Sequence, residues 1–504
     1  MSRKTNRDDL HADVDVREAS AILPRVSRSK RQLLCLLSAL VALTALAETA
    51  ANRVVYIPYL DARPILEAME EALPAELRGV ASEKRESVWA EWVKTRDAQI
   101  RERLTRGDED TLVNFLLFGT SFTRVARLTS AQLRALEQES KAGAQREGAA
   151  SFRELLETRI QDLIKGMAAP GNNERLIFAG KVVERAGIDI STSAGRARAQ
   201  TYLYESIQRN IKEQNSYQER LAEAAKLNDP TEEFAERSKL YRERGLSLDT
   251  SLPPDYALEV ALAAMRDQKL LARGSVRRVG IIGPGLDFTD KHEGYDFYPT
   301  QTLQPFAVLD SLLRMGLARA DGIEMDTLDL SARVNEHVRR ARAAAAAGRA
   351  YTLQVPRDPE WKWKPELAAY WERFGDQIGE RVKPVAVPAA LRSIELRATR
   401  VRPEIVRRLR PLDVDIVLQR ELAPEDAKFD LLIATNILVY YDAFEQSLAL
   451  ANIAAMLRPG GYLLTNNLLL ELPASKMKAG DYVAVEYSDR RADGDRILWY
   501  RREN

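Results

Sequence analysis

The stretch of residues 429–467 constrains the fold of this chain more than any other part of its sequence. Residues 429–434, FDLLIA, form a short apolar run that is typical of a strand buried on both faces. Apolar residues at helical spacing follow over residues 444–457, and the turn Arg458-Pro-Gly-Gly461 ends that helix. Residues 462–465 begin a second buried strand. Such a strand–helix–strand unit makes a right-handed parallel crossover, so this stretch predicts an open α/β sheet.

Strands and helices alternate from Pro254 to the end of the chain, the pattern of a doubly wound sheet. We predict a Rossmann-like mixed seven-stranded sheet over residues 254–504, parallel with an antiparallel edge. A mostly helical domain is predicted before it, over residues 53–250, with separate helices at 84–104 and 109–117. The predicted strands lie at residues 279–283, 322–330, within 394–401, 414–419, 429–435, 462–466 and, as a closing pair, 482–487 and 497–501.

Two further segments precede the helical domain. Residues 1–32 are polar and charged, which predicts a disordered basic tail. The apolar run of residues 33–47 follows a basic flank and ends in Ala45-Leu46-Ala47, as in a secretory signal or an uncleaved anchor. We therefore predict a signal peptide or membrane anchor over residues 33–51, and a membrane-anchored or exported protein. If this run is a core helix instead, a cytoplasmic protein is expected.

Composition excludes several classes of function. The net charge of +1 gives no overall field that would attract nucleic acid, so no nucleic-acid partner is expected. The single cysteine, Cys35, allows no intramolecular disulfide and no cysteine-based metal site. The three histidines lie far apart in sequence and form no HExxH motif, so no metal site is predicted.

A glycine loop follows the first predicted strand, in the sequence Gly280-Ile-Ile-Gly283-Pro284-Gly285-Leu-Asp287. Glycines let the backbone turn sharply and let a ligand approach closely, and ligands of this fold sit beyond the carboxyl ends of strands. We therefore predict that Gly283, Pro284, Gly285 and Asp287 bind a cofactor. The fingerprint for NAD fits poorly, because Phe288 stands where the third glycine is expected. The alternative is a tight turn without a ligand.

Two acidic residues are candidates for contacts to a nucleotide-like ligand. Asp329 closes the second predicted strand, where a carboxylate accepts hydrogen bonds from both hydroxyls of a ribose. Its alternative role is to cap the following helix, and Asp326 is the alternative acid if the strand is shorter. Glu421 or Gln419 is placed to meet an adenine amino group, unless that segment is only a surface loop.

These residues together resemble a known family. The region of residues 279–467 is similar to class I S-adenosylmethionine-dependent methyltransferases, and residues 400–467 look most like the chemotaxis-type protein-glutamate methyltransferases. The segments that carry the resemblance are Phe429-Asp430-Leu431-Leu432, Asn436-Ile437-Leu438-Val439-Tyr440-Tyr441, Leu457-Arg458-Pro459-Gly460-Gly461-Tyr462-Leu463, Asp329-Leu-Ser331, Glu421-Leu422 and Gln304-Pro305-Phe306.

The resemblance implies S-adenosylmethionine as cofactor and transfer of its methyl group by in-line displacement. Asn436 would contact the cofactor, and Asn436, Tyr440 and Tyr441 are the candidates for facing the reacting methyl group. An insertion at residues 287–302 is either a lid that offers aromatic and acidic groups to the cofactor or an ordered surface loop. The methyl acceptor, a small molecule or a protein, is unknown.

Three hypotheses follow from the sequence. The first is an active methyltransferase whose N-terminal helices serve a substrate or partner. The second is a methyltransferase-like protein without activity that acts as a binding or scaffold protein of the cell envelope. The third, an NAD-linked oxidoreductase, is disfavoured by the poor glycine fingerprint.

Overall fold

A computed structural model describes residues 53–128, 147–224, 245–289, 295–489 and 493–504. Val54–Asn504 forms one compact unit. The predicted tail and apolar run, residues 1–51, lie outside the described residues. Within the described part of the chain, no helix combines the length and apolarity needed to cross a membrane. The division into a helical and a sheet domain near residue 250 stays a prediction.

Between β1 and β2 the described chain is helical, and from β2 onward helices and strands are interspersed. The helices are α1 (Tyr59–Ala68), α2 (Arg85–Phe118), α3 (Glu147–Ala168), α4 (Glu174–Arg185), α5 (Ser193–Ala224), α6 (Leu252–Asp267), α7 (Gln304–Arg314), α8 (Ala332–Ala346), α9 (Pro365–Arg373), α10 (Pro403–Val406) and α11 (Ala443–Met456). The strands are β1 (Arg53–Tyr56), β2 (Arg278–Ile282), β3 (Glu324–Asp329), β4 (Tyr351–Arg357), β5 (Gly379–Val382), β6 (Glu395–Val401), β7 (Leu409–Asp413), β8 (Gln419–Leu422), β9 (Phe429–Ala434), β10 (Leu457–Thr465), β11 (Met477–Glu486) and β12 (Gly494–Arg502).

Seven strands form the central sheet in the spatial order β11-β12-β10-β9-β2-β3-β7. The strands β7, β3, β2, β9 and β10 are parallel, whereas β12 runs antiparallel between β10 and β11. The predicted fold class, a Rossmann-like mixed seven-stranded sheet with a mostly helical N-terminal region, is therefore confirmed. The chain runs outward from β2 to β3 and β7, then returns to β9 on the other side of β2. The topological switch point, where ligands of such sheets bind, thus lies between β2 and β9.

The prediction of a strand at residues 414–419 is wrong. Residues 414–419 are mostly a turn, in which the Asp415 side chain accepts a hydrogen bond from the Val417 N–H at 3.0 Å. This segment is apolar because it is buried in the core, and burial alone does not specify a strand. The third strand is β7, whose Pro411 suits an edge strand. Residues within 394–401 do form a strand, β6, but in a separate antiparallel sheet with β4 and β5.

Helices cover both faces of the central sheet. On one face α6, α7 and α8 share a core with the sheet and with α9. On the other face α11 packs together with α1 and the first half of α2. The N-terminal strand β1 pairs with β8, and the Ile57 N–H donates to the Leu418 carbonyl at 2.8 Å. The N-terminal segment is thus part of the layer that covers this face.

The two helices predicted at residues 84–104 and 109–117 are one continuous helix, α2, of 34 residues. Its first half places Trp89, Trp92 and Ile100 in the core beside α11. Its second half packs against α3, α4 and α5 to form a separate helical core, which we call the helical bundle. Gly107, which lies between the two predicted helices, is inside the continuous helix. Helix α2 therefore connects the bundle directly to the sheet.

Candidate functional site

The glycine loop leaves β2 at the switch point, as predicted. Gly283 and Gly285 have positive φ angles of 64° and 66°, a backbone conformation that favours glycine. The Gly283 N–H donates to the Leu328 carbonyl at 2.8 Å, which ties the loop to β3. Pro284 is buried between the two glycines.

Segments of the chain itself approach both glycines closely. A Cβ atom on Gly283 would lie 2.2 Å from Cδ1 of Ile437, and one on Gly285 would lie 2.4 Å from the carbonyl oxygen of Leu248. The Leu286 N–H also donates to that Leu248 carbonyl, at 2.7 Å. The short segment of residues 245–250 therefore lies against the glycine loop, and part of the close approach that the glycines allow is used by the protein.

Asp329 lies at the end of β3, next to the glycine loop, and only 4% of its surface is exposed. Its Oδ1 accepts a hydrogen bond from the Ser331 N–H at 2.7 Å. Ser331 is the residue just before α8, so this bond does not reach an N–H group of the helix itself, as the capping alternative required. Its Oδ2 is buried and has no hydrogen-bond partner within the described residues. Burial raises the pKa of this carboxyl to about 7, although the backbone N–H groups of Ser331 and Gly285 oppose the shift. Asp329 and the glycine loop are thus brought together, and one carboxyl oxygen has no hydrogen-bond partner within the described residues.

Asn436 follows β9 on the other side of the switch point and is exposed. Its φ of 58° is unusual for a residue with a side chain. Two hydrogen bonds hold it in place: its N–H donates to Oδ1 of Asn466 at 2.9 Å, and its Oδ1 accepts from Nδ2 of Asn466. The loop after β9 is thereby fixed to the end of β10, and Asn436 lies at the predicted edge.

The two tyrosines after Asn436 have different environments. Tyr441 is 1% exposed and packs in the core beneath α11, with the Arg103 guanidinium 5.8 Å from its ring centre. Burial raises its pKa well above the ordinary value. Tyr440 is half-buried, and its carbonyl accepts a hydrogen bond from Arg103 at 3.0 Å. The structure thus places Tyr441 within the core, while Tyr440 remains nearer the surface.

Asp287 closes the base of the insertion at residues 287–302. Its N–H donates to the Gln301 carbonyl at 2.7 Å, and its carboxylate accepts from Nε2 of Gln301 at 2.8 Å. The described part of the insertion is held by the helical bundle: Arg175 of α4 donates to the Phe288 carbonyl, and to the Tyr298 carbonyl at 2.6 Å. These contacts are those of an ordered segment docked on the bundle, and Asp287 holds the ends of that segment together.

Glu421 lies in β8, in a buried charged cluster away from the glycine loop. It pairs with Arg278 at 3.0 Å and with Arg410 at 2.7 Å, and both arginines also pair with Asp326. Arg278 is the first residue of β2, so this cluster lies near the opposite end of the strand from the glycine loop. The structure does not bring Glu421, or the alternative acid Asp326, to the switch point.

An N-terminal residue reaches this edge of the sheet without having been predicted there. Arg101 of α2 donates to the Leu330 carbonyl at 3.2 Å and pairs with Asp413 at 2.8 Å. Leu330 follows Asp329, and Asp413 is the last residue of β7. Helix α2 therefore covers the edge beside Asp329. Only the tertiary packing of α2 reveals this contact, because Arg101 is one of many charged residues along that helix.

A second group of buried polar residues at this edge was also missed. Gln304 at the start of α7 donates hydrogen bonds to Asp255 of α6 and to Thr435 after β9. Gln304 had drawn attention only through the family resemblance. Asp255 is an acid in the first turn of a helix, which is an ordinary favourable position, so its place in the sequence does not single it out.

Comparisons with known proteins give limited information. No protein-family model matches the sequence, and no curated protein matches it. Among solved structures, the N-methyltransferase NodS from Bradyrhizobium japonicum WM9 is similar at 13% identity, covering 50% of this chain and 99% of that one, with a TM-score of 0.23.

Two further solved structures are similar at the same level. Magnesium protoporphyrin IX methyltransferase (ChlM) from Synechocystis PCC 6803 with bound SAM has 11% identity, covers 50% of this chain and 78% of that one, and has a TM-score of 0.24. An S-adenosylmethionine-dependent methyltransferase from Clostridium acetobutylicum ATCC 824 has 8% identity, covers 51% and 94%, and has a TM-score of 0.24. Such low TM-scores do not establish a common fold. The fold class of this chain rests on its own strand order and pairing. The likeness to chemotaxis-type enzymes stays a prediction.

Proposed function

We propose that this protein is an S-adenosylmethionine-dependent methyltransferase that acts on an acceptor of unknown identity. The observation that supports the proposal is made at the switch point. A glycine loop lies there beside a buried acid, Asp329, and one oxygen of this acid has no hydrogen-bond partner within the described residues. Oδ2 of Asp329 has no partner among the described residues, and a buried acceptor without a donor costs about 1–3 kcal/mol. A ligand hydroxyl at this position would remove that cost.

The residues present fit such a cofactor. Asp329 would accept from the ribose hydroxyls, the backbone of Gly283–Gly285 would lie along the ligand, and Asn436 would stand near the reacting group. The cofactor supplies an activated methyl group, and the protein needs mainly to align it with the acceptor. This role requires no catalytic histidine or cysteine, and it suits an Asn436 whose loop is fixed by two hydrogen bonds to Asn466.

The second candidate is a methyltransferase-like protein without activity. Contacts of the chain with its own glycine loop favour it: Leu248 lies against Gly285, and Ile437 lies against Gly283. Arg101 of α2 also covers the edge beside Asp329. Under the first proposal, these segments must separate from the loop when the ligand enters. Under the second, they occupy that space permanently.

Calorimetric titration of the full chain with S-adenosylmethionine separates the two. We expect binding, and we expect Asp329→Asn to weaken it by roughly 10- to 100-fold, the loss of a charge-assisted hydrogen bond. Asp321→Asn is the matched control, because Asp321 is an exposed acid that precedes β3. Affinity for wild type should rise from pH 6 to pH 8 as Asp329, with a pKa of about 7, becomes ionised. Absence of binding at millimolar ligand by a folded chain would support the inactive alternative.

A further inference from the structure

Three polar side chains are buried together at the same edge of the sheet, between α6, α7 and the end of β9. Asp255, Gln304 and Thr435 are 2%, 4% and 6% exposed, respectively. Nε2 of Gln304 donates to Oδ1 of Asp255 at 3.3 Å and to Oγ1 of Thr435 at 2.8 Å. We call these residues the acidic cluster. Thr435 directly precedes Asn436, so the acidic cluster adjoins the switch point.

The donors of the acidic cluster leave two of its oxygens without a partner. Oδ2 of Asp255 and Oε1 of Gln304 are both buried, and neither has a partner within the described residues. Oε1 of Gln304 is an acceptor, as is Oδ2 of an ionised Asp255, and the one amide nitrogen of the cluster is already shared between Asp255 and Thr435. Native interiors rarely leave two neighbouring buried acceptors without donors. A group that brings several N–H donors and a positive charge would satisfy both.

We propose that Asp255, Gln304 and Thr435 form a binding site for a primary ammonium group. An ammonium carries three donors and no acceptor, which matches the two unpartnered oxygens and the charge of an ionised Asp255. The identity of the ligand rests on the proposed function: the ammonium belongs either to the amino-acid end of the cofactor or to an amine acceptor. The acids of the insertion are not needed for this contact, because Asp287 and Asp296 are already hydrogen bonded to the protein.

The charged and titratable surroundings of Asp255 are consistent with this role. Tyr370 of α9 and Tyr487 after β11 face it, and the Tyr487 hydroxyl donates to Asp495 of β12 at 2.6 Å. Glu259, one turn further along α6, pairs with Arg373. No arginine or lysine in the described part of the chain forms an ion pair with Asp255, and burial raises its pKa to about 8.

Binding an ammonium should therefore release a proton. At pH 7, a carboxyl with a pKa of about 8 is about nine-tenths protonated. A neighbouring positive charge favours the ionised form and lowers the pKa of Asp255. The carboxyl proton then passes to solvent as the ion pair with the ammonium forms, so the charge and the proton balance without any other reactant.

Calorimetry of the full chain at pH 7, in two buffers of different ionisation enthalpy, tests this site. The probes are S-adenosylhomocysteine and its analogue with hydrogen in place of the amino group. If the cofactor brings the ammonium, Asp255→Asn lowers the proton release on binding of S-adenosylhomocysteine by close to one proton and weakens binding tenfold or more. The release that remains comes from Asp329, whose pKa is about 7. The deamino analogue then binds both proteins alike. Asp267→Asn, an exposed acid at the end of α6, should behave as wild type.

A second titration tests whether the ammonium group belongs to an amine acceptor instead of the cofactor. Ethylamine is titrated into the chain saturated with S-adenosylhomocysteine. Binding with proton release that is lost in Asp255→Asn, together with unchanged S-adenosylhomocysteine affinity, supports the ammonium site and assigns it to the acceptor. Thr435→Val, which preserves shape, provides a second variant and should weaken the same ligand.

The proposal is overturned if Asp255→Asn changes neither titration, because Asp255 is then a protonated structural residue. A chain that binds neither S-adenosylhomocysteine nor its deamino analogue contradicts the proposed function instead. In that case ethylamine added to the free chain decides the ammonium site alone: proton release that depends on Asp255 supports it, and equal behaviour of wild type and Asp255→Asn refutes it.

Discussion

Replacing Gly107 by alanine should destabilise this protein, although the same change inside a helix usually stabilises by about 1 kcal/mol. Gly107 is a buried residue within α2. A Cβ atom there would lie 1.9 Å from the carbonyl oxygen of Leu246 and 2.8 Å from its carbonyl carbon. Both are backbone atoms, so no side-chain rotation relieves the overlap. The segment of residues 245–250, which also contacts the glycine loop, has to move away from α2.

The size of the effect follows from what that movement breaks. An oxygen at 1.9 Å is roughly 1.5 Å short of ordinary contact distance, so the segment must retreat by about that much. The hydrogen bond from the Leu246 N–H to the Arg103 carbonyl, 3.2 Å long, is then lost, which costs about 0.5–1.5 kcal/mol. Exposing the buried Leu246 side chain costs up to about 2 kcal/mol. After the gain in helix propensity of about 1 kcal/mol is subtracted, we expect a net loss of up to about 2.5 kcal/mol.

Differential scanning calorimetry with a matched variant checks this expectation. Gly180 lies inside α4, and a Cβ atom there would have no heavy atom within 4 Å apart from its chain neighbours and the backbone of its own helix. Gly180→Ala should therefore melt at or above the wild-type temperature, and Gly107→Ala below it. Faster amide exchange in residues 245–250 of Gly107→Ala would locate the damage. The reasoning is refuted if Gly107→Ala melts as high as Gly180→Ala.

Two further substitutions test contacts that determine where the site lies. Glu421→Gln weakens a buried charged cluster, so the free energy of unfolding, measured by urea denaturation, should fall by about 3 kcal/mol. The affinity for S-adenosylhomocysteine should stay the same. A large change in that affinity would show that Glu421 is a ligand residue after all. Arg175→Met leaves the Phe288 and Tyr298 carbonyls without their buried donor, which costs about 1–3 kcal/mol of stability for each carbonyl. Limited proteolysis should therefore cleave the insertion faster than in wild type. An unchanged rate of cleavage would show that the bundle does not hold the insertion.

The sequence predicted those parts of the site that depend on local chain geometry. A strand that ends in a glycine loop, and an acid at the end of the next strand, are recognisable because strand, turn and side chain lie within a few residues of one another. Parallel pairing then brings Asp329 to the glycine loop without further information. The same local logic placed Asn436 at the end of β9.

Contacts between distant segments could not be predicted in this way. Glu421 resembled a ligand residue, but Arg278 and Arg410 neutralise it inside the fold, and only Arg410 is near it in sequence. Arg101 and Asp255 reach the edge of the sheet because their helices pack there. Their positions in the sequence form no pattern that would predict this contact. The prediction of a strand at residues 414–419 was wrong for a related reason. An apolar run indicates that a segment is buried, and a buried segment can be a turn as well as a strand.

The pairing of the N-terminal segment with the far end of the chain has a consequence for synthesis on the ribosome. Arg96 of α2 hydrogen bonds to Glu445 of α11 across 349 residues of sequence. At roughly 5–20 residues per second, such partners emerge roughly 20–70 s apart. Throughout that interval Trp89 and Trp92, stacked 5.2 Å apart in the finished protein, have no helix α11 to pack against. The nascent chain therefore presents an uncovered aromatic surface for most of its translation, which is the kind of surface that chaperones bind.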